Sequence, residues 1–261
     1  MIFHDDCFNA LKNIPDGSVD MILTDPPYGT TNLEWDSAPD LVRMFAEFNR
    51  VIKKNGAIVV TAQQPFATDC IVANRKYFRY EWIWEKTMAM GFLDAKKKPM
   101  KAHENVLVFY KALPTYNPQK TLGHGSIAEK IRIKEKNSIA THYHKHRRTD
   151  YINTDGSRYP RDVVKFSNQS GTIFGKKTTT ASKHPTQKPV ALFEYLIRTY
   201  TNEGETVLDC FAGSGTTAAA AINTGRKYIV VEKEAKYIDI IRERVAQAEQ
   251  TLFASVEKQS D

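Results

Sequence analysis

The chain of 261 residues has no run near the roughly 18 consecutive apolar residues that a membrane-spanning helix needs, so none is expected. Cysteine is scarce. The three present, Cys7, Cys70 and Cys210, form an odd and widely spaced set, which argues against a disulfide framework or structural zinc and for a reducing cytosol. The first residues, Met1-Ile2-Phe3-His4-Asp5-Asp6, lack the pattern of a signal peptide, so a cytoplasmic location is expected. No Gly-Lys-Ser/Thr follows the glycine-rich turn near the C-terminus, which argues against a phosphate-binding P-loop. Internal repeats are absent as well.

Acidic residues are scarce in one stretch only. From Lys111 to Lys183 there are 15 Lys and Arg against 5 Asp and Glu, whereas the remainder carries 22 against 25. One segment therefore holds more than the whole net charge of +7. A solvated surface would scatter both signs; this asymmetry implies a polyanionic partner, with nucleic acid the first candidate. Hydrophobic residues at 41% and aromatics at 11% fit a packed chain, long enough for one α/β domain with an insertion or for two small domains.

Short apolar runs alternate with helical stretches, the rhythm of βαβ units around a mostly parallel sheet. Residues 19–24 read as a buried strand, 40–54 as an amphipathic helix stopped by Asn55-Gly56, and 57–61 as the next strand. A short helix is expected over 65–74, then strands over 80–84 and 105–110 joined by a loop containing Lys96, Lys97, Lys98 and Lys101. Residues 112–182 are rich in Pro, Gly, Thr and Lys, with one weak helix over 127–134, and read as an irregular insertion. The rhythm returns with helix 190–200, strand 205–209, helix 216–223, strand 227–231 and a last helix over 235–250. The expected organisation is a catalytic part (1–111), a basic insertion (112–182) and a cofactor-binding part (183–261).

Two turns carry chemistry. In Val207-Leu208-Asp209-Cys210-Phe211-Ala212-Gly213-Ser214-Gly215-Thr216-Thr217, a strand leads through glycines into a helix start, where backbone amides are free for a ligand. Glu232, at the end of the next strand about 20 residues on, is placed to take both ribose hydroxyls of an adenosine cofactor. Nicotinamide enzymes share that geometry, and a turn built for packing alone is the bland reading. Asp25-Pro26-Pro27-Tyr28 is sharper. An exocyclic amino group is a poor nucleophile because its lone pair is delocalised into the ring. The Asp25 carboxylate and the Pro26 carbonyl can accept its two hydrogens and favour a pyramidal nitrogen. Proline stiffens the turn, and Tyr28 offers a flat face to a base drawn out of the duplex. Both turns follow buried strands, so a parallel sheet brings them to one carboxyl edge.

On these residues the chain resembles the DNA amino-methyltransferases that modify adenine or cytosine. Asp25-Pro26-Pro27-Tyr28 matches their catalytic motif and Phe211-Ala212-Gly213-Ser214-Gly215 their cofactor motif; His184-Pro185-Thr186-Gln187-Lys188-Pro189 is a third match. With the catalytic motif first, the order is that of the permuted β group, in which the insertion is the target-recognition domain. The resemblance implies a Rossmann-like methyltransferase fold: a mostly parallel seven-stranded sheet with one antiparallel strand and helices on both faces. It implies S-adenosyl-L-methionine as cofactor, double-stranded DNA as partner, and in some members a homodimer or a cognate restriction endonuclease. It assigns Asp25, Pro26, Pro27 and Tyr28 to catalysis. It gives the cofactor to Asp6, Asp25, Thr186, Lys188, Asp209, Phe211, Gly213, Ser214, Gly215, Thr216, Thr217 and Glu232, with Thr186 and Lys188 near the methionine carboxylate. Two positions depart from the family. His4-Asp5-Asp6 stands where Gly-Asp is frequent, so Asp6 is the match, and Cys210 stands where proline is frequent. Asp before Pro-Pro-Tyr resembles the adenine enzymes more than the cytosine ones.

Lys145, Arg147 and Arg148, beside the alternating His142, His144 and His146, are expected on DNA phosphates rather than on a metal. Trp82 and Trp84 read as core, Phe92 is open between packing and base stacking, and Trp35 is open between pocket wall and packing. Methylation of the cytosine 4-amino group uses the same machinery and stands as the nearest alternative. A non-catalytic DNA-binding partner that keeps the fold is the alternative of another class.

Overall fold

Strand β2 (Val19–Thr24) is apolar almost throughout because both of its faces are covered. Ile22 points into one core with Ile58, Val60, Met44, Phe45 and Phe48, while Met21 and Leu23 point into another with Val59, Leu196 and Ile197. The computed structural model describes residues 1–30, 37–122, 156–168, 172–173, 176–177 and 187–257. One compact unit comprises Met1–Asn117 and Asp162–Asp261, and a second comprises Pro118–Arg161. In the second, Thr121 pairs with Arg158 and the Lys120 ammonium lies 4.6 Å from the Tyr159 ring centroid.

In the first unit the chain runs β1 (Ile2–His4), α1 (Cys7–Leu11), β2, α2 (Leu41–Val51), β3 (Ile52–Ala62), α3 (Phe66–Ala73), β4 (Phe78–Met90), β5 (Lys101–Phe109) and β6 (Val163–Phe166). A two-stranded ribbon, β7 (Thr172–Ile173) and β8 (Lys176–Lys177), precedes α4 (Val190–Tyr200), β9 (Thr206–Asp209), α5 (Thr216–Asn223), β10 (Lys227–Glu232) and α6 (Ala235–Glu257). The main sheet has the order β1-β10-β9-β2-β3-β5-β4-β6. β5 runs antiparallel to both of its neighbours and every other pairing is parallel, as the resemblance implies.

The sheet has eight strands where seven were expected. The additional one is β6, which pairs with β4 from Ile83↔Val163 to Lys86↔Phe166 and lies within the stretch read as an irregular insertion. A second difference concerns Gly56. Helix α2 ends at Val51, and Ile52 already pairs with Val19, so Asn55-Gly56 lies in a strand and does not stop the helix. A Cβ on Gly56 would sit 2.6 Å from the Asp20 carbonyl and 2.7 Å from Ile52 Cγ1, so the glycine is there for close approach.

Each helix buries one stripe. Asp40 caps α2 by accepting from the Arg43 amide at 3.0 Å, and Met44, Phe45, Phe48 and Val51 face the sheet. On the other side α4 buries Leu192, Phe193, Leu196, Ile197 and Tyr200, each large side chain stabilising by about 1.5–3 kcal/mol. Alanines fill α5, whose Ala218 to Ala221 are all buried, and small side chains let it pack against both α4 and α6. Trp82 and Trp84 lie in the core as expected: their indole N–H groups donate to the Tyr200 hydroxyl at 2.7 Å and to the Phe166 carbonyl at 3.0 Å. Cys7, Cys70 and Cys210 are free and buried. Among the described residues no helix is long and apolar enough to cross a membrane.

Candidate active site

Strands β2 and β9 are hydrogen-bonded neighbours, with Met21 opposite Val207 and Ile22 opposite Leu208, so the turns that follow them leave the same edge. The Thr24 hydroxyl donates to Asp209 Oδ1 at 2.6 Å and ties the two strand ends together. Both turns border one cavity of about 850 Å³, a size that holds a nucleoside-bearing cofactor with room beside it. The sequence-based expectation that these segments converge is met.

One lobe of the cavity is walled by Asp5, Asp6, Phe8, Phe211, Gly213 and Glu232. Glu232 Oε2 accepts from the Gly213 amide at 2.7 Å and Oε1 from the Glu234 amide at 2.9 Å. Burial raises its pKa, and those amide bonds partly oppose the rise. The carboxylate borders the cavity with acceptor capacity left for a ribose hydroxyl. Asp6 accepts from the Phe8 amide at 2.9 Å and caps α1. Asp209 is buried and takes three donors: Thr24, the Phe211 amide at 3.0 Å, and the Thr217 hydroxyl at 2.5 Å. Burial pushes its pKa up to about 6 despite them. The Asp6 and Glu232 carboxylates, with the Phe8 and Phe211 rings in the same wall, form the acceptor and stacking set that an adenosine group needs, so the lobe fits the cofactor that the resemblance implies.

The loop is also held from behind. Gly215 adopts φ +81°, and a Cβ there would lie 3.1 Å from Ile241 Cγ1 on α6, so only glycine lets that helix come this close. From α6, the Arg244 guanidinium donates to the Ser214 carbonyl and hydroxyl, both at 3.0 Å, and to the Thr216 hydroxyl at 3.3 Å. Burial lowers the Arg244 pKa. The Ser214 hydroxyl donates to Gln187 Oε1 at 3.2 Å.

The other lobe centres on Asp25. Its Oδ1 accepts from the Tyr28 hydroxyl at 2.7 Å and from the Thr61 hydroxyl, and its Oδ2 accepts from the Lys188 ammonium at 2.8 Å. Lys188 lies 3.3 Å from Glu104 Oε2, and Lys86 lies 2.5 Å from Glu104 Oε1. The half-buried Asp25 and the buried Glu104 thus alternate with two buried ammoniums, and the cluster is neutral. Burial works against the charge on Glu104, yet Lys188 and Lys86 hold its pKa below the usual carboxylate value. Burial likewise opposes the charge on Lys188, and Asp25 and Glu104 raise its pKa above the ordinary lysine value. The Tyr28 pKa is raised by burial first and then by Asp25 and Glu104, which keeps its hydroxyl a donor. Its ring packs on Phe66 with centroids 5.1 Å apart, and the Lys188 ammonium is 5.3 Å from the ring centroid.

A family profile described as "DNA methylase" (N6_N4_Mtase) matches residues 19–243. The chain belongs to this family. The methylase is thus a transferase that takes a methyl group from S-adenosylmethionine and places it on DNA. It is 30% identical over 258 residues to the DNA adenine methyltransferase YhdJ of Escherichia coli, covering 91% of this chain and 79% of the relative. With the type II methyltransferase M1.MboII of Moraxella bovis it shares 29% identity over 245 residues, covering 89% and 91%. Among solved structures, the M1.HpyAVI–SAM complex aligns with TM-score 0.59 and 26% identity over 94% of this chain and 98% of that one. The PvuII DNA methyltransferase (cytosine-N4-specific) aligns with TM-score 0.63 at 18% identity, over 93% and 85%, a likeness of fold alone.

Of the residues read from the sequence, Asp6, Asp25, Pro26, Pro27, Tyr28, Lys188, Asp209, Phe211, Gly213, Ser214, Thr216 and Glu232 all border the methylase cavity. Gly215 and Thr217 stand behind its wall: Gly215 packs on α6, and Thr217 is wholly buried with its hydroxyl spent on Asp209. Thr186, Lys145, Arg147, Arg148, Trp35, His142, His144 and His146, with the helix expected over 127–134, lie outside the described residues. Sequence reasoning missed Thr61, Lys86, Glu104 and Arg244. Lys86 had a signal: it follows Trp82 and Trp84 at the strand period, on the buried face.

Proposed function

We propose that this methylase acts on the 6-amino group of adenine in double-stranded DNA, with the target base turned out of the helix into the lobe beside Asp25. The observation that carries the reading is the Asp25 carboxylate, held on both oxygens in the cavity that the lobe fitting the cofactor shares. Oδ2 accepts from Lys188 and keeps a lone pair for an amino hydrogen, while the Pro26 carbonyl takes the second hydrogen. The cofactor supplies a methyl group on a sulfonium. Asp25 and Pro26 orient the nitrogen lone pair, and Tyr28 supplies the aromatic ring against which the base stacks. Glu232 and Asp6 would hold the nucleoside end of the cofactor, with Phe211, Gly213, Ser214 and Thr216 in the surrounding wall. Lys188 would meet the methionine carboxylate with the donor left after Asp25 and Glu104, and the resemblance gives Thr186, outside the described residues, to the same group.

Asp before Pro-Pro-Tyr and the name of the 30% identical relative support adenine over cytosine. Residues 112–182 supply target recognition, with Lys145, Arg147 and Arg148 on phosphates. Relatives named type II methyltransferases support pairing with a cognate restriction endonuclease in the cytoplasm, and a homodimer completes the reading. Mass analysis of nucleosides from DNA incubated with the protein and cofactor tests the target. N6-methyladenine is expected, and N4-methylcytosine alone overturns the adenine assignment.

A further inference from the structure

The turn between β4 and β5 places large apolar side chains in water. Phe92 is 76% exposed and Leu93 98%, with Met88, Met90 and Met100 also exposed around them. The turn is nevertheless built. Gly91 takes φ +88°, the amides of Asp94 and Ala95 donate to the carbonyls of Gly91 and Phe92, and those of Lys97 and Lys98 both donate to Asp94. Below it, the Asn168 side chain accepts from Thr87 at 2.7 Å and from the Met88 amide at 3.0 Å, and donates to the Met88 carbonyl at 2.9 Å. Phe92 and Leu93 are therefore presented by an ordered tip.

Beside them stand Lys96, Lys97, Lys98 and Lys101, against the single acid Asp94. Lys98 pairs with Asp94 at 3.1 Å and Lys101 donates to Gln63 at 2.8 Å. Among the described residues no carboxylate pairs with Lys96 or Lys97. The base of the tip, at Met90, Lys101 and Asn168, also borders the catalytic cavity. An apolar point flanked by cations at the rim of a site that must receive a flipped base has the chemistry of a wedge that enters a base stack. A second copy of the chain suits it poorly, because a two-fold contact would set the lysines of one tip against those of the other.

We propose that the β4–β5 tip is a DNA wedge: Phe92 and Leu93 enter the base stack next to the target nucleotide, and Lys96 and Lys97 contact flanking phosphates. The inference rests on the reading that duplex DNA is the substrate, and it adds a contact outside the 112–182 insertion. Opening one pair costs a few kcal/mol, which an inserted ring offsets by stacking where the base has left.

The test is the variant Phe92→Ser/Leu93→Ser with Val72→Ser as control, since Val72 is an exposed apolar residue elsewhere, on α3. Sequencing DNA modified by the wild-type protein first defines the target. A labelled duplex carrying it is then titrated by fluorescence anisotropy, and base extrusion is followed with 2-aminopurine at the target position. The double variant should bind this duplex about tenfold more weakly, as expected for one lost stacking contact, and lose most of the extrusion signal. The loss should shrink on a duplex with an abasic site opposite the target, where no pair has to be opened. Cofactor affinity and the control should match wild type. Lys96→Ala/Lys97→Ala should make the slope of log affinity against log salt shallower by about 1.8. Unchanged affinity and extrusion in the serine variant overturn the wedge, as does an equal defect on the pre-opened duplex. So does a change from dimer to monomer in sedimentation with extrusion intact. A wild-type protein that methylates no DNA removes the substrate reading instead, an outcome distinct from loss of the wedge with wild-type activity in place.

Discussion

Replacing Glu104 with glutamine keeps the shape of the side chain and removes one of the three buried charges that cluster with Asp25. The side chains of Glu104, Lys86 and Lys188 are each 6–7% exposed, so solvent screens them little. Lys188 keeps Asp25, but Lys86 is left without a carboxylate, and stranding one buried charge costs about 3–5 kcal/mol. Lys86→Met in the same chain removes the stranded ammonium and keeps the aliphatic stem. The double variant should therefore be more stable than Glu104→Gln alone, with a coupling energy of about 1.5–3 kcal/mol in a double-mutant cycle measured by urea unfolding. Methyl transfer should fall even where the fold is saved. Lys188, no longer shared, moves fully onto Asp25 and occupies the lone pair of Oδ2 that the amino group needs. A fall in kcat of about 10- to 100-fold, with KM for the cofactor changed less, is the expected signature. Additivity of the two substitutions within about 0.5 kcal/mol, or a kcat equal to wild type in Glu104→Gln, would refute the role given to this cluster.

Asp25→Ala should abolish methyl transfer while calorimetry still detects cofactor binding; residual activity near wild type would remove Asp25 from the reaction. For Asp209, the folded carboxyl titrates at about 6 against an ordinary value of 3.8, so the folded state holds its proton more tightly than the unfolded chain. Its charge costs stability above about pH 6, and the cost is relieved as pH falls from there toward about pH 4. Wild type should thus gain stability relative to Asp209→Asn between about pH 8 and pH 4, by at most about 3 kcal/mol, and a pH-independent difference in unfolding free energy would contradict the assignment. Gly215→Ala should combine a left-handed backbone cost of about 1–2 kcal/mol with crowding of about 1–3 kcal/mol against Ile241. Gly17→Ala meets open space and bears the first cost alone, so equal melting temperatures for the two variants would show that the approach of α6 is not tight.

Legibility followed locality. Helices α4 and α5 were readable to the residue because their boundaries are written beside them, in Pro189 before one and in the glycine turn before the other. Asp25, Tyr28 and Glu232 were readable for the same reason, each sitting directly after a strand that announces itself. Thr61, Glu104 and Lys86 arrive from β3, β5 and β4, and what assembles them is strand pairing that no short window contains. Strand β6 was missed because Val163-Val164-Lys165-Phe166 is short, follows Arg161-Asp162 and precedes Ser167-Asn168, and it is a strand only by pairing with β4. The early end of α2 was hidden because Ile52 suits a helix face as well as it suits the strand position opposite Val19.

The sheet order has a consequence for synthesis. β1 and β2 are consecutive in the chain, yet β10 and β9 lie between them, and both are made roughly two hundred residues later. Until the last third of the chain has left the ribosome, the first two strands flank an open slot with unpaired backbone on each side. A nascent or truncated chain can carry the complete Asp25 turn and still have no floor beneath it. The cavity wall formed by Asp209, Gly213 and Glu232 is therefore the last part of the site to be made, and it arrives with the strands that fill the slot.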